Sequence, residues 1–162
     1  MKRARTGLIA AAILAVATVA FAQKPDFSGT WTLDPEASGM AGAPGGGGGG
    51  GRGGGGGALG NGATVKQTAD ALTITRQMGD QTMTATYKLD GTESKNSMMG
   101  RGGQAVEQTS TAKWDGSTLV ITTKMDMGNG PQESTQKWTV SGSTLTVETT
   151  NARGTQKRVY KK

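Results

Sequence analysis

The 162-residue chain contains no cysteine and no histidine. Their absence excludes a disulfide framework, a thiol nucleophile, an imidazole base and the usual zinc, haem and iron–sulfur ligand sets. An enzyme would have to use a carboxylate pair or a lysine. The twelve acidic residues are scattered, mostly at predicted turns or on predicted outer strand faces. We therefore expect a protein that is not an enzyme and that has no cofactor and no metal site.

Only one long hydrophobic run is present, and it lies at the amino terminus. Three basic residues precede an apolar segment at 7–21, which ends in an Ala-Phe-Ala motif. This order is typical of a secretory signal peptide, here residues 1–22, cut after Ala22. We expect a periplasmic or secreted protein. The run is shorter than the roughly 20 residues that span a bilayer, so no membrane span is expected in the mature chain.

The net positive charge is small once the signal peptide is removed. The full chain has 18 basic and 12 acidic residues, a formal charge of +6. Lys2, Arg3 and Arg5 leave with the signal peptide, so 15 basic residues face 12 acidic ones, or +3. Such weak basicity does not favour nucleic acid or anionic lipid as a partner. Residues 23–162 are predicted to form one domain with a single modest core; no oligomeric state is predicted.

Glycine is abundant, with 28 residues, and most of a tract at 38–62 consists of it. A phosphate loop is excluded because no Gly-Lys-Ser/Thr follows. Two isolated Arg-Gly-Gly copies without interleaved aromatics argue against a nucleic-acid segment. A linker between domains is disfavoured because only one short strand, with Trp31 and Leu33, precedes the tract and cannot bury itself. We therefore predict a disordered loop within one domain, after the first strand.

The rest of the chain alternates between apolar and polar residues with a period of two. This alternation, rich in threonine and other β-branched residues, is typical of half-buried antiparallel strands. Turn dipeptides such as Asp115-Gly116 and Ser141-Gly142 separate the runs, as tight hairpins require. We predict an all-β fold, a single antiparallel up-and-down barrel of about eight to ten strands. Besides the strand before the glycine tract, runs are delimited at 72–78, 82–89, 106–114, 118–126, 132–140, 143–150 and 155–160.

The predicted inner face is unusually polar. Several polar residues share the parity of the apolar residues on their strands; these are Arg76, Gln108, Ser110, Thr123, Gln136, Thr149 and Arg158. Burial of unpaired polar groups is costly, so a barrel with a water-containing cavity would explain them. A β-bulge that shifts the register by one residue is the alternative explanation.

Both ends of the mature chain resemble the calycins, the superfamily of lipocalins and fatty-acid-binding proteins. The first strand contains Gly29-Thr30-Trp31, similar to the G-x-W opening strand of that superfamily. The last contains Arg158-Val159-Tyr160, similar to the Arg-x-Tyr pair of the fatty-acid-binding proteins, and the hairpin at 138–148 also follows their pattern. The fatty-acid-binding proteins have two helices where this chain has glycine and are largely cytosolic, so small exported bacterial lipocalin-like proteins are the closer comparison.

This resemblance implies a binding site inside the barrel. Arg158 and Tyr160 would face the cavity and hold a carboxylate, while Gly29 and Trp31 would be structural. A guanidinium pairs bidentately with a carboxylate, and Arg76 is a second candidate for the same role. In the alternative, Arg158 stacks on Trp31 as a structural plug. The predicted apolar lining consists of Ile74, Met83, Tyr87, Leu119, Ile121, Met125 and Trp138, of which Tyr87 and Trp138 are taken as ligand contacts.

The leading hypothesis is an exported binding protein for a small hydrophobic or amphipathic ligand, such as a lipid that bears a carboxylate. The alternative is a structural or interaction module of the cell envelope, with a filled core and no ligand.

Overall fold

A computed structural model describes residues 24–40, 58–99, 105–126 and 130–162. Ten antiparallel strands form one sheet within these ranges. They are β1 (Gly29–Asp34), β2 (Gly62–Gln67), β3 (Ala71–Met78), β4 (Gln81–Lys88), β5 (Glu93–Met99), β6 (Ala105–Asp115), β7 (Thr118–Asp126), β8 (Pro131–Ser141), β9 (Thr144–Asn151) and β10 (Gly154–Lys161). No helix among the described residues is long and apolar enough to cross a membrane.

The first strand joins the two halves of the sheet. The spatial order is β4-β3-β2-β1-β10-β9-β8-β7-β6-β5, so β1 lies between β2 and the last strand. Leu33 pairs with Tyr160 across β1 and β10, and the Lys161 ammonium lies 2.7 Å from the Asp34 carboxylate. Ser38 lengthens this short junction, because its hydroxyl accepts a hydrogen bond from the Val159 N–H at 2.9 Å. The sheet is thereby rolled into a nearly closed barrel.

The strands β4 and β5 are the two edges of the rolled sheet, and side chains connect them. The Asn96 amide replaces a peptide group: its Oδ1 accepts from the Thr86 N–H at 2.8 Å and its Nδ2 donates to the Thr86 carbonyl at 3.0 Å. The Ser94 hydroxyl accepts from the Lys88 N–H at 2.9 Å. Edge groups that would otherwise lack partners are satisfied in this way. We call this contact the β4–β5 seam.

Tight turns produce the meander. Asp115 pairs directly with Thr118, and Ser141 pairs with Thr144, so each hairpin has a two-residue loop. The first loop residue is Gly116 at φ +60° in one case and Gly142 at φ +58° in the other. Side chains other than glycine rarely adopt this conformation. The turn dipeptides predicted from the sequence therefore have the expected structural role.

Aromatic side chains fill one end of the barrel, which we call the aromatic end. Phe27 stacks on Trp114 and meets Trp138 edge to face, each with ring centroids 5.8 Å apart. The Trp31 indole donates to the Phe27 carbonyl at 2.8 Å, and Trp31 is fully buried. Since β1 begins here, the segment before β1 caps the core. Gly29 at φ +140° makes the bend that this entry requires.

The predicted single antiparallel barrel and its strand count are confirmed. The seven runs delimited in the sequence after the glycine tract correspond to β3, β4, β6, β7, β8, β9 and β10 within two residues. Two strands were not delimited from the sequence: β2 is only six residues long, and the β5 sequence ESKNSMM lacks an apolar alternation. Most of the predicted disordered loop at 38–62 lies outside the described residues, and so does the signal peptide.

The β4–β5 seam should contribute measurably to stability. Asn96→Ala removes both hydrogen bonds to Thr86, and we expect the free energy of unfolding to fall by about 1–2 kcal/mol. The control is Ser97→Ala on the same strand, where the side chain is exposed. Urea unfolding of the two variants measures the difference. Equal free energies of unfolding for both variants would contradict a structural role for the seam.

Candidate functional site

The inner face of the barrel is divided into an apolar and a polar part. The aromatic end is packed with large side chains, including Leu72, Leu119 and Leu145, all fully buried. Farther along the strands, polar side chains share the inward parity, and five of those predicted from the sequence are buried: Gln108, Ser110, Thr123, Gln136 and Thr149. A one-residue shift that would place the predicted inner-face positions on the outside of the barrel is therefore excluded for these strands. The polar part lies toward the barrel end opposite the aromatic end.

Arg158 lies on β10, directly across from Val147 on β9, and is half-buried. Its guanidinium interacts with the hydroxyl of Tyr160, two residues later on the same strand. Burial raises the pKa of Tyr160 above its usual value, while Arg158 and Arg76 lower it. Both guanidiniums therefore lie close enough to this hydroxyl to affect its ionisation.

Arg76 approaches from β3, which is separated from β10 by β2 and β1. It lies on β3 opposite Met83 of β4, and its Nη2 is 3.8 Å from the Met83 sulfur. A Cβ atom placed on Gly60 would be 3.3 Å from Nη1, so the guanidinium lies against the Gly60 backbone. Arg76 also lowers the pKa of Tyr87, although burial raises that pKa to about 12 overall. Its charge thus lowers the pKa values of both tyrosines of the chain.

Neither guanidinium has a carboxylate partner in the part of the chain that the structure describes. All twelve acidic side chains of the protein fall within the described residues. The ion pairs found there use Lys95, Lys124 and Lys161, not Arg76 or Arg158. Two like charges that share a partly desolvated interior repel each other. An anion that bridges them would relieve this repulsion.

The two tyrosine hydroxyls differ in their partners. Tyr160 donates to the Gly60 carbonyl at 3.0 Å, which ties the segment 58–60 to the barrel with Leu59 buried beneath it. The Tyr87 side chain is only 2% exposed, yet its hydroxyl makes no hydrogen bond within the described part of the chain. Tyr87 therefore offers an uncommitted donor near Arg76, whereas the proton of Tyr160 is already used.

The two tryptophans named from the sequence both belong to the core. Trp138 is fully buried, and its indole donates to the Gln136 Oε1 at 3.0 Å. The cation over Trp31 is Lys162, with Nζ 4.9 Å from the ring centroid. The alternative in which Arg158 plugs the barrel by stacking on Trp31 is therefore wrong. The carboxyl-terminal lysine takes that place because β10 runs antiparallel to β1 and carries Arg158 away from the aromatic end.

A cavity of about 280 Å³ opens at the aromatic end and contains none of the predicted ligand residues. Lys24 lies 5.6 Å from the Trp114 ring centroid there. The Trp114 indole N–H is a buried donor without a partner among the described residues. This cavity was not predicted from the sequence, because its walls come from segments that are far apart in the chain. They are formed by Lys24, Asp26, Gln67, Thr68, Ala69, Leu89 and Trp114.

Two residues with important contacts, Gly60 and Lys162, were not identified from the sequence. Gly60 contacts Arg76 and accepts from Tyr160, but in the sequence it is one glycine among many. Lys162 covers Trp31, but a terminal lysine carries no signal. Neither contact follows from strand alternation, since both link residues about 100 or more positions apart in the chain.

Comparison with solved structures supports the assignment of the fold. A protein described as REP1-NXSQ fatty acid transporter superimposes with a TM-score of 0.53 at 17% identity, over 83% of this chain and 94% of the other. A secretory abundant heat soluble (SAHS) protein from Ramazzottius varieornatus gives 0.51 at 16%, over 84% and 94%. Human cRBP IV gives 0.51 at 19%, over 85% and 98%. The chain therefore has the same antiparallel β-barrel fold as these three proteins.

The sequence comparisons add nothing to this assignment. No protein-family model matches the chain, and no curated protein sequence matches it. At identities below 20% the likeness concerns the fold alone.

The buried Tyr87 should make stability depend on alkaline pH. The unfolded chain releases this proton near pH 10, but the folded chain keeps it to about 12. The stabilisation from the protonated Tyr87 hydroxyl is thus complete below its pKa in the unfolded chain and is lost as the pH rises through its pKa in the folded chain. As the pH rises from about 10 to 12, the free energy of unfolding of the parent protein should fall by about 2–3 kcal/mol more than that of Tyr87→Phe. Urea unfolding across this range measures it; parallel losses would contradict the burial of the hydroxyl.

Proposed function

We propose that this chain is an exported binding protein for a small amphipathic molecule with a carboxylate head and a hydrophobic tail. The observation that carries the proposal is the pair Arg76 and Arg158, half-buried beside buried tyrosines and without carboxylate partners. A guanidinium binds a carboxylate through two parallel hydrogen bonds. Charge-assisted bonds of this kind gain strength where water is partly excluded.

The position of the head follows from the tyrosines. Arg158 and Arg76 both act on Tyr160, so a carboxylate near that hydroxyl is within reach of both charges. The Tyr87 hydroxyl has no partner among the described residues and can donate to the same head. Tyr160 contributes by holding Gly60, and with it the backbone against which Arg76 rests. The site thus has two cations, one free donor and one supporting residue.

The tail would extend along the apolar side chains between the arginines and the aromatic end. Ile74 on β3 and Ile121 on β7 are buried on the inner face, and Met83 and Met125 are half-buried there. Methionine adapts its shape to irregular ligands. A solved structure with the same fold is described as a fatty acid transporter, which agrees with this ligand class.

Binding without catalysis is the activity that this chemistry supports. The chain has no histidine or cysteine, and arginine, neutral polar and apolar side chains, which line the described part of the barrel interior, do not act as general bases near neutral pH. We propose no cofactor, no metal and no nucleic acid as partner. Export rests on the amino-terminal sequence, which predicts a periplasmic or secreted mature chain of residues 23–162.

The two arginines should determine affinity for the carboxylate head. For the delipidated mature chain, we expect Arg158→Met and Arg76→Met each to weaken hexadecanoic acid binding by about 10-fold or more, because each removes a charge-assisted hydrogen bond. Arg153→Met is the control, since Arg153 is exposed in the β9–β10 turn. Hexadecan-1-ol should bind the parent protein and both variants alike. Isothermal titration calorimetry measures these affinities.

Absence of binding to the parent protein would overturn the proposal and favour a structural module of the cell envelope. Equal weakening by Arg153→Met, or equal weakening for acid and alcohol, would also contradict the assigned role of the two arginines.

The export prediction has its own test. Cells that produce the full 162-residue precursor should release a product that begins at Gln23, because the Ala-x-Ala motif ends at Ala22. The intact mass of the periplasmic or medium fraction identifies the cleavage site. A product that retains residues 1–22 in the membrane fraction would contradict it.

A further inference from the structure

Methionine provides all the sulfur of this protein. The chain has eight methionines and no cysteine, so thioether groups are its only sulfur nucleophiles. A peroxide converts a thioether into a sulfoxide, which is polar, and methionine sulfoxide reductases reverse the reaction. The surroundings of each thioether therefore decide what its oxidation changes.

The Met83 thioether contacts one of the two guanidiniums of the inner face. Met83 lies on β4 directly opposite Arg76 of β3, and the Arg76 Nη2 donates to its sulfur at 3.8 Å. A thioether sulfur is a weak acceptor, whereas a guanidinium carries several strong N–H donors. The other terminal nitrogen, Nη1, lies against the Gly60 backbone. A half-buried cation is thus in contact with an acceptor that oxidation would strengthen.

Met83 lies toward the barrel end that is opposite the aromatic end. The β2–β3 turn and Leu89, which follows β4, line the cavity at the aromatic end, so the β3–β4 turn lies at the other end. Met83 is the third residue of β4 and is half-buried, and the preceding Gln81 and Thr82 are exposed. Hydrogen peroxide, which is hardly larger than water, therefore reaches this sulfur from solvent.

We propose that Met83 is a reversible oxidation site whose sulfoxide engages Arg76 and withdraws it from the carboxylate of a ligand. The sulfur lone pair attacks one oxygen of hydrogen peroxide, and the O–O bond breaks. The proton on the transferred oxygen passes to the departing hydroxide, which leaves as water. The sulfur is oxidised by two electrons and the peroxide is reduced by two. The effect on binding rests on the proposed function.

The sulfoxide oxygen gives Arg76 a new partner inside the barrel. A hydrogen bond from a charged donor to an oxygen is stronger than one to a thioether sulfur. Arg76 and Arg158 both act on Tyr160 and are the proposed anchors of the ligand carboxylate. When Arg76 is bonded to oxidised Met83, the carboxylate loses one of its two charged partners. An uncharged head group does not suffer this loss.

The first test follows hexadecanoic acid binding to the delipidated mature chain by calorimetry, before peroxide treatment, after it, and after repair by methionine sulfoxide reductases. Peptide mass spectrometry gives the oxidised fraction at each methionine. We expect oxidation of Met83 to weaken the acid by about 10-fold or more, as loss of a charge-assisted hydrogen bond does, and repair to restore the affinity. Hexadecan-1-ol should be weakened far less. Equal weakening of acid and alcohol overturns the inference.

Variants assign the effect to one sulfur. Met83→Leu, compared with itself before and after peroxide, should show no loss of acid affinity. Met78→Leu is the matched control, because Met78 lies on the same face of β3 as Arg76 and is 49% exposed. This control should lose as much affinity on oxidation as the parent protein does. A loss that persists in Met83→Leu, or one that disappears in Met78→Leu, overturns the inference.

A ligand-free measurement separates this inference from the proposed function. The Met83-specific change in the urea midpoint is the change on oxidation minus that of the matching Met83→Leu protein. It should be a smaller decrease in the parent protein than in Arg76→Leu, because the guanidinium satisfies the sulfoxide oxygen. Equal decreases overturn the inference.

The combined results distinguish the two proposals. If Arg76→Leu weakens acid binding but oxidation of Met83 does not, the inference is overturned while the proposed function stands. If the acid does not bind the parent protein but the midpoints differ as expected, the proposed function and the effect on binding fall, whereas the oxidation site and its contact with Arg76 stand.

Discussion

Pairing of the first strand with the last is the constraint on which this barrel depends. A chain without cysteine has no covalent closure, and β1 alone joins β2 to β10. The junction is short, but the Asp34–Lys161 ion pair and the Ser38 hydroxyl extend it. The pKa of the Asp34 carboxyl is held below its usual value, mainly by the hydrogen bond from the Ala37 N–H and secondly by the Lys161 ammonium. If this junction opened, the inner face would no longer be enclosed and the two arginines would lie on an open sheet.

Closure also separates two environments inside the barrel. The aromatic end is packed around Phe27. The Trp31 indole donates to the Phe27 carbonyl and the Trp138 indole to the Gln136 Oε1, whereas the Trp114 indole N–H is buried without a partner among the described residues. The opposite part holds the half-buried guanidiniums of Arg76 and Arg158, which have no carboxylate partner among the described residues. One end is therefore tightly packed and the other is polar, and we propose that the polar end supplies recognition, as in binding sites built on a firm scaffold.

The sequence predicted the fold well, and it placed Arg76 and Arg158 on inward-facing strand positions, because both inferences depend on local patterns. Alternation placed Gln136 and Thr149 on the inner face, and turn dipeptides placed the hairpins. The Arg-Val-Tyr motif located Arg158, and strand parity added Arg76. Each of these inferences requires only the period of two and the identity of nearby residues.

What escaped prediction depends on contacts between distant segments. Asn96 closes the seam by imitating a peptide group, which no period of two reveals. Tyr160 reaches a glycine 100 positions away, and Lys162 replaces Arg158 on Trp31. Such contacts depend on how the barrel curves and on where the chain ends, so they follow from closure and not from any strand by itself.

The central claim is that two unpaired guanidiniums hold an anionic head inside the barrel. Carbon-13 NMR of carboxyl-labelled hexadecanoic acid bound to the protein tests it most directly, because the carboxyl chemical shift reports ionisation at that atom. We predict a single bound resonance that stays at the carboxylate position well below the range of about pH 4–5 in which exposed carboxyl groups titrate, since adjacent cations lower a carboxyl pKa. A bound resonance that titrates within that range, or no bound resonance, would contradict the account.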